Sequence, residues 1–362
     1  MTERIVYAAS ASFESARRLA ASPPPGGGLH GHSFLSTVSA RAPGTGLPAW
    51  APFPGGEIDA LRERLLACVA PLDYQLLNDH LDVPSDENLA RWIGARLRQH
   101  GMQDDIERLG VHSTRGQGVD IDALGVPQVW RRYQFESAHR LPRVAPGHKC
   151  GRMHGHGFAV VLHAQAAEPR SLDALWAPLQ RQLHHACLND IPGLENPTSE
   201  LLASWIWARL QPELPALRWV TVFETATCGA HFDGAHYRIW KELGLDSAVR
   251  LARAPAGDGR ARIHGHSYRL RLHLSAALDA VLGWTIDFGD VKEIFAPVFE
   301  LLDHQPLHEL PGVAEAGALG IARWARARAA AALPQLERID LLETPGCGVI
   351  LSWGPEHPAP PV

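Results

Sequence analysis

Between Gly147 and Phe158 the chain reads GHKCGRMHGHGF, a thiol and three imidazoles within twelve residues. Two histidines at i and i+2 on an extended strand point to the same face, so His154 and His156 can converge on one point. The phrase RRYQFESAHRL precedes them, and an antiparallel hairpin carries its His139 across from the pair. Three imidazoles on a rigid sheet without a fourth protein ligand describe a catalytic zinc site with one position left open. Zn2+ is expected in preference to copper or nickel. The plainer reading, ordinary sheet histidines, leaves the neighbouring thiol unexplained. Cys150 lies four residues before His154, and a thiol near a metal and an imidazole loses its proton more readily, so it can serve as base or nucleophile. Glu224 ends the apolar run RWVTVFET, where a carboxylate accepting two parallel N–H bonds suits the guanidine-like edge of an amino-pyrimidinone ring. A surface salt bridge is the alternative for that residue.

These groups sit in the second of three similar stretches. His-Gly-His occurs as LHGHSF (29–34), MHGHGF (153–158) and IHGHSY (263–268), and upstream lie FESARRL, FESAHRL and LDSAVRL. Self-similarity of this kind means a repeated structural unit. Downstream of each His-Gly-His comes an amphipathic helical pattern, then a second helix carrying Trp92, Trp205 or Trp324, then two strands. Thr198 or Ser199 followed by Glu200 reads as the N-cap of the second copy's second helix. The expected architecture is α+β: three tandem ββααββ units, over 1–128, 129–240 and 241–362. Four strands per unit leave an open edge, which closure of all units into one barrel removes. Residues 40–56 read as a Pro/Gly-rich loop and 354–362 as a frayed tail.

Lys plus Arg total 34 against 39 for Asp plus Glu, a formal charge of −5, so no nucleic-acid or anionic-membrane partner is expected. The five cysteines are scattered, which points to a reducing compartment rather than a disulfide framework. Cys68 and Cys187 fall in helical patterns as inert buried thiols, while Cys228 and Cys347 follow the Glu-Thr phrase and either line a site or pack in a strand. With no basic-then-apolar leader pattern and no long uncharged apolar stretch, a cytoplasmic protein is expected.

The second copy, on FESAHRLP, GHKCGRMHGHGF, LNDIPGLENPTSE, WIWARL and ETATCGAHFDG, resembles the carboxy-forming branch of the 6-pyruvoyltetrahydropterin synthase family. Pyruvoyl-forming members usually place more than the three residues found here between the cysteine and His-Gly-His. The resemblance implies the tunnelling fold, with three units closing into an antiparallel twelve-stranded barrel, helices outside, and two barrels stacking, here as a homodimer. It also implies a zinc-dependent lyase that takes the small pterin 7,8-dihydroneopterin triphosphate to 6-carboxytetrahydropterin and acetaldehyde in queuosine or deazapurine biosynthesis. His139, His154 and His156 match the zinc ligands, Cys150 and His185 the catalytic pair of groups, and Glu224 the pterin anchor, with Thr198, Ser199 and the third copy's Glu343 as further substrate contacts. A pyruvoyl-forming enzyme and a pterin-binding protein without turnover are the alternatives.

The copies depart from the family pattern in complementary ways. Copy one has Arg17 at the first zinc-histidine position, Gly26 near the cysteine position, Tyr74 after Asp73, and Ser113 at the glutamate position. Copy three has Val249 and Arg260 for histidine and cysteine but keeps Asp303, His304 and Glu343, whereas copy two has His184 where the family has aspartate. The expectation is that Asp303 and His304 of copy three supply the proton relay to Cys150 and the zinc of copy two. His30 with His32, and His264 with His266, read as relics.

Overall fold

The computed structural model describes residues 3–19, 28–43, 46–102, 105–165 and 169–354; Gly26 and the tail from 355 onward lie outside the described residues. Copy one consists of β1 (Arg4–Arg17), β2 (His30–Arg41), α1 (Glu57–Val69), a two-residue β3 (Gln75–Leu76), α2 (Asp86–Gln99), β4 (Ile106–Thr114) and β5 (Gln117–Asp122). Copy two follows as β6 (Pro127–His139), β7 (His154–Gln165), α3 (Pro169–Leu183), a two-residue β8 (Ala186–Cys187), α4 (Ser199–Leu210), β9 (Leu217–Thr225) and β10 (Cys228–Phe232). Copy three contributes β11 (Tyr237–Val249), β12 (His264–Ser275), α5 (Phe288–Glu300), α6 (Ala318–Ala329), β13 (Leu336–Thr344) and β14 (Cys347–Ser352).

The twelve long strands form one antiparallel sheet that closes where β14 pairs with β1, from Arg4 opposite Ser352 to Ala8 opposite Gly348. Closure leaves no long strand with an unpaired edge, which answers the problem posed by four strands per unit. The copies join along β5–β6 and β10–β11. Alternation along each strand divides its side chains between two environments. Phe158, Val160, Leu162 and Ala164 of β7 belong to the apolar core shared with the outer helices. His163 is turned the other way, against Trp130 and Trp219. That second face lines a polar interior, where the buried Asp340 accepts from Arg338 and lies 3.0 Å from Nε2 of His273.

The helices hold the hairpins through repeated contacts. Trp205 and Trp324 donate their indole N–H groups to the carbonyls of Pro192 and Pro311. Thr198 caps α4 by accepting from the Leu201 amide, as the sequence reading anticipates. Cys187 departs from expectation: it lies in β8, paired in parallel with β6, because the helix stops at Leu183 and the chain turns back along Ser137 and Ala138. Cys68 is buried in α1. No helix among the described residues is long and apolar enough to cross a membrane.

Candidate metal centre and its surroundings

The β6–β7 hairpin extends past β9, and its register sets His139 directly opposite His154 with Ser137 opposite His156. One donor atom from each of His139, His154 and His156 lies within 4.8 Å of the others. The second ring nitrogen of each histidine meets a backbone oxygen: Nδ1 of His139 at Pro197 (3.3 Å), of His154 at Arg152 (2.8 Å) and of His156 at Gly157 (3.2 Å). Carbonyl oxygens only accept, so each Nδ1 carries the proton and each Nε2 keeps a bare lone pair. Nε2 of His139 and Nε2 of His156 stand 3.2 Å apart. Two bare lone pairs at that distance repel unless a cation lies between them, and burial with the two neighbouring imidazoles pushes His139 down to about 4. The donor set therefore fits a divalent metal that takes imidazole.

Cys150 sits in a one-turn 3-10 helix, Lys149–Gly151, ahead of β7. Burial raises its thiol, and the carboxylates of Glu224 and Asp287 raise it further. The Lys149 ammonium pulls the other way, and a cation held by the neighbouring imidazoles would add to that pull, which is the source of activation that the sequence reading expects. Glu224 ends β9 and accepts a hydrogen bond from the Ser199 hydroxyl at the start of α4. Copy two thus brings together His139, His154, His156, Cys150, Ser199 and Glu224, with Thr198 at the cap beside them.

Copy three closes this pocket with the segment ahead of α5. Arg143 donates to the Val281 carbonyl (3.2 Å), Asn196 to that of Leu282 (2.7 Å), and the Thr198 hydroxyl to that of Gly283. Gly283 has φ +76, where any other residue is strained, and a Cβ there would stand 2.6 Å from the Leu201 side chain, so this seam favours glycine. The Thr285 amide and hydroxyl both donate to Glu200, at 2.8 and 3.2 Å. Asp287 lies 3.6 Å from Nε2 of His148. His148, Glu200, Thr285 and Asp287 were not singled out from sequence as site residues. The one available signal was the run GWTIDFGD in copy three, which has no equivalent in copy two.

Glu200 is fully enclosed, and burial pushes its carboxyl up to about 7. Between an ordinary carboxylate value and about 7 the folded chain holds a proton that the unfolded chain has released, so this group lowers stability as pH rises through that window. Glu200→Gln keeps an acceptor for Thr285 and cannot ionise. We expect urea melts to show the variant gaining on the order of 2 kcal/mol over the parent at pH 8 and nothing at pH 4. An equal difference at both pH values would show that the carboxyl does not titrate in this range.

The other two copies have filled the same place differently. In copy one Arg17, 3% exposed, donates to Asp86 (2.6 Å) and to the Pro84 carbonyl, while Ser113 donates to Asp86 and Gln117 to Ser113. In copy three Val249 and Leu251 pack with Phe53 of copy one, and Arg260 lies over the Phe53 ring at 4.7 Å. Glu343 is held there in a crowd of carboxylates, where burial, Asp59 and Glu57 push it up to about 8. His30 and His264 still face the carbonyls of Gly28 and Arg262, but among the described residues neither pair has a third imidazole.

The relay residues sit where the chain turns back along the first strand of each copy. His184, Asp73 and Asp303 play one structural role, each accepting from a strand amide: Glu136 (3.1 Å), Glu14 (2.8 Å) and Asp246 (3.0 Å). The next residue, His185, Tyr74 or His304, has φ between 53 and 58 and donates its amide to the same strand residue. Asp303 also holds His304 through Nδ1 at 2.9 Å and raises it, whereas His184 stacks on His185 at 3.8 Å and offers no carboxylate. The described contacts of Asp303 and His304 run to Asp246 and its strand, while the copy-three residues touching the copy-two pocket are those from Val281 to Asp287. The His304 side chain is 77% exposed.

Comparison with known proteins agrees with this repeat. A model of 6-pyruvoyl tetrahydropterin synthase matches three times, over residues 7–123, 128–235 and 238–352. A 6-carboxy-5,6,7,8-tetrahydropterin synthase from Synechocystis sp. is 35% identical over 119 residues, which is 29% of this chain and 91% of that protein. Among solved structures, 6-pyruvoyl tetrahydropterin synthase from Caenorhabditis elegans aligns with 32% of this chain and 94% of its own at 18% identity and a TM-score of 0.30. A uricase from Bacillus fastidious aligns with 59% of this chain and 81% of its own at 10% identity and a TM-score of 0.31. Three successive family matches spanning nearly the whole sequence make this chain a member of the 6-pyruvoyl tetrahydropterin synthase family.

Proposed function

We propose that the chain is a zinc-dependent lyase with one working site, converting 7,8-dihydroneopterin triphosphate to 6-carboxytetrahydropterin and acetaldehyde. The observation that carries this reading is the convergence of three bare Nε2 atoms in copy two, alone among the described residues, in the copy that also holds Cys150 and Glu224. The similarity to the Synechocystis protein and the three-residue spacer after Cys150 favour the carboxy product.

His139, His154 and His156 would hold Zn2+, which as a Lewis acid acidifies the hydroxyls of a substrate side chain. Glu224, steadied by Ser199, accepts the two parallel N–H groups of the pterin edge. Cys150 exchanges a proton with the substrate side chain, and His304, polarised by Asp303, is the second acid–base group. Loss of triphosphate and cleavage of the side chain then follow.

The relay reaches a metal site through a second copy of the chain. Leu29, Met153 and Ile263, each just before His-Gly-His, are 59%, 54% and 67% exposed, and Tyr74 is 81% exposed. An apolar set repeated by all three copies suits a stacked homodimer, in which exposed His304 of one barrel faces the partner's copy-two pocket. The reducing compartment inferred from the cysteines makes the cytoplasm the place of action.

Incubating zinc-loaded protein with 7,8-dihydroneopterin triphosphate and weighing the products tests the reaction. 6-Carboxytetrahydropterin with acetaldehyde supports it, 6-pyruvoyltetrahydropterin moves the enzyme to the other branch, and tight binding without product makes it a pterin-binding protein.

A further inference from the structure

We infer that Asp287 of copy three is a positioning residue for the Cys150 turn of copy two, acting through His148; this rests on Cys150 being the working thiol. The Cys150 amide donates to Nδ1 of His148 at 3.2 Å, and this bond caps the 3-10 turn that holds the thiol. An imidazole accepts at Nδ1 only when that nitrogen is bare, so the proton must sit on Nε2. Nε2 faces Oδ2 of Asp287 at 3.6 Å, and a carboxylate there selects that tautomer. The two oxygens of Asp287 divide the work: Oδ1 accepts the Gly289 and Asp290 amides at the start of α5, at 2.6 and 3.3 Å, and leaves Oδ2 for His148. One carboxylate thereby couples a helix of copy three to the thiol loop of copy two.

Copy three provides the internal control. Its turn, Gly259–Ala261, is capped by Asp258, whose carboxylate accepts the Arg260 amide at 2.9 Å and has no tautomer to choose. Of the two turns among the described residues, the one that carries a thiol has an imidazole cap backed by a neighbouring copy's carboxylate. The other groups acting on the thiol are Glu224, Lys149 and Cys228, all from copy two. The fused chain therefore fixes in one polypeptide the copy whose segment supports this site.

The test compares wild type, Asp287→Asn, His148→Asn and the double variant as zinc-loaded full chains. Asparagine at 287 keeps the α5 cap but presents an amide N–H to His148, and asparagine at 148 caps the turn without a partner. Two readouts are taken: the His148 tautomer by 15N-histidine NMR, and the rate at which iodoacetamide alkylates Cys150, read by peptide mass. Wild type should show Nε2–H; Asp287→Asn should shift the ring toward Nδ1–H and change alkylation by about 3- to 10-fold, with kcat falling more than KM rises. In the His148→Asn background the same change at 287 should have less than about half that effect, the signature of coupling through His148. An unchanged tautomer in Asp287→Asn, or an equal alkylation factor in both backgrounds, overturns the inference. Should wild type yield no pterin product while tautomer and alkylation respond as described, the proposed reaction fails and the positioning role stands.

Discussion

Replacing His154 with alanine should take the chain from about one bound zinc to none and lower turnover by at least about a thousandfold. Two imidazoles would remain, His139 and His156, whose Nε2 atoms already face each other at 3.2 Å. A two-ligand remnant no longer offsets the dehydration of the ion at submicromolar zinc, so dialysis should strip it. The matched substitution His264→Ala should leave zinc content and turnover unchanged. In copy three the first ligand position is Val249, packed against Phe53, and in copy one Arg17 occupies that position with its guanidinium bound to Asp86. Zinc by mass spectrometry on dialysed protein decides the matter: loss of metal on substituting His264 would mean that a relic site loads, and retention after substituting His154 would remove the metal centre from copy two.

What the sequence made legible follows from the range of the interactions involved. The His139–His154 register, the Thr198 cap and the Cys150 turn are set within about twenty residues on either side of a hairpin or helix start, where alternation and capping rules act. Barrel closure was also accessible, because four strands per copy demand a partner for every edge. The pocket's other wall was not accessible. Asp287 is 139 residues from His148, and Thr285 is 85 from Glu200, so no local pattern links them. The short β8 was misread for a related reason: the apolar period of α3 runs on through Cys187, but the chain is captured by the edge of β6 first. The filling of the copy-three pocket by Phe53 from copy one is likewise a contact between copies.

Asp303→Asn should keep zinc bound and cut turnover by about a hundred- to ten-thousandfold, since asparagine still accepts the Asp246 amide but cannot stabilise a charged His304. His304 is raised by the Asp303 carboxylate, so loss of that partner returns it toward an ordinary imidazole and moves the acid–base limb of the pH–rate profile to lower pH. A mixing experiment then locates the relay. Cys150→Ala removes the thiol and leaves Asp303 and His304 intact, and each variant alone should be nearly inactive. When the two chains are unfolded together and refolded as random dimers, half are mixed. If each copy-two pocket receives the partner's relay, one of the two sites in every mixed dimer joins an intact Cys150 to an intact Asp303, and about a quarter of wild-type turnover returns. If the relay instead serves its own chain, every site in the mixture lacks one group and no turnover returns. The exposure of His304, whose described contacts run to Asp303 and Asp246, favours recovery. Copy two's His184 is the reason to look to copy three for this function: its imidazole keeps the bond to the Glu136 amide that aspartate makes elsewhere, but it offers His185 no charge, and the carboxylate against His185 is the exposed Glu136 at 3.9 Å. Recovery would mean that zinc and thiol come from one copy and the acid–base pair from another, which gives the fused units a reason to remain together.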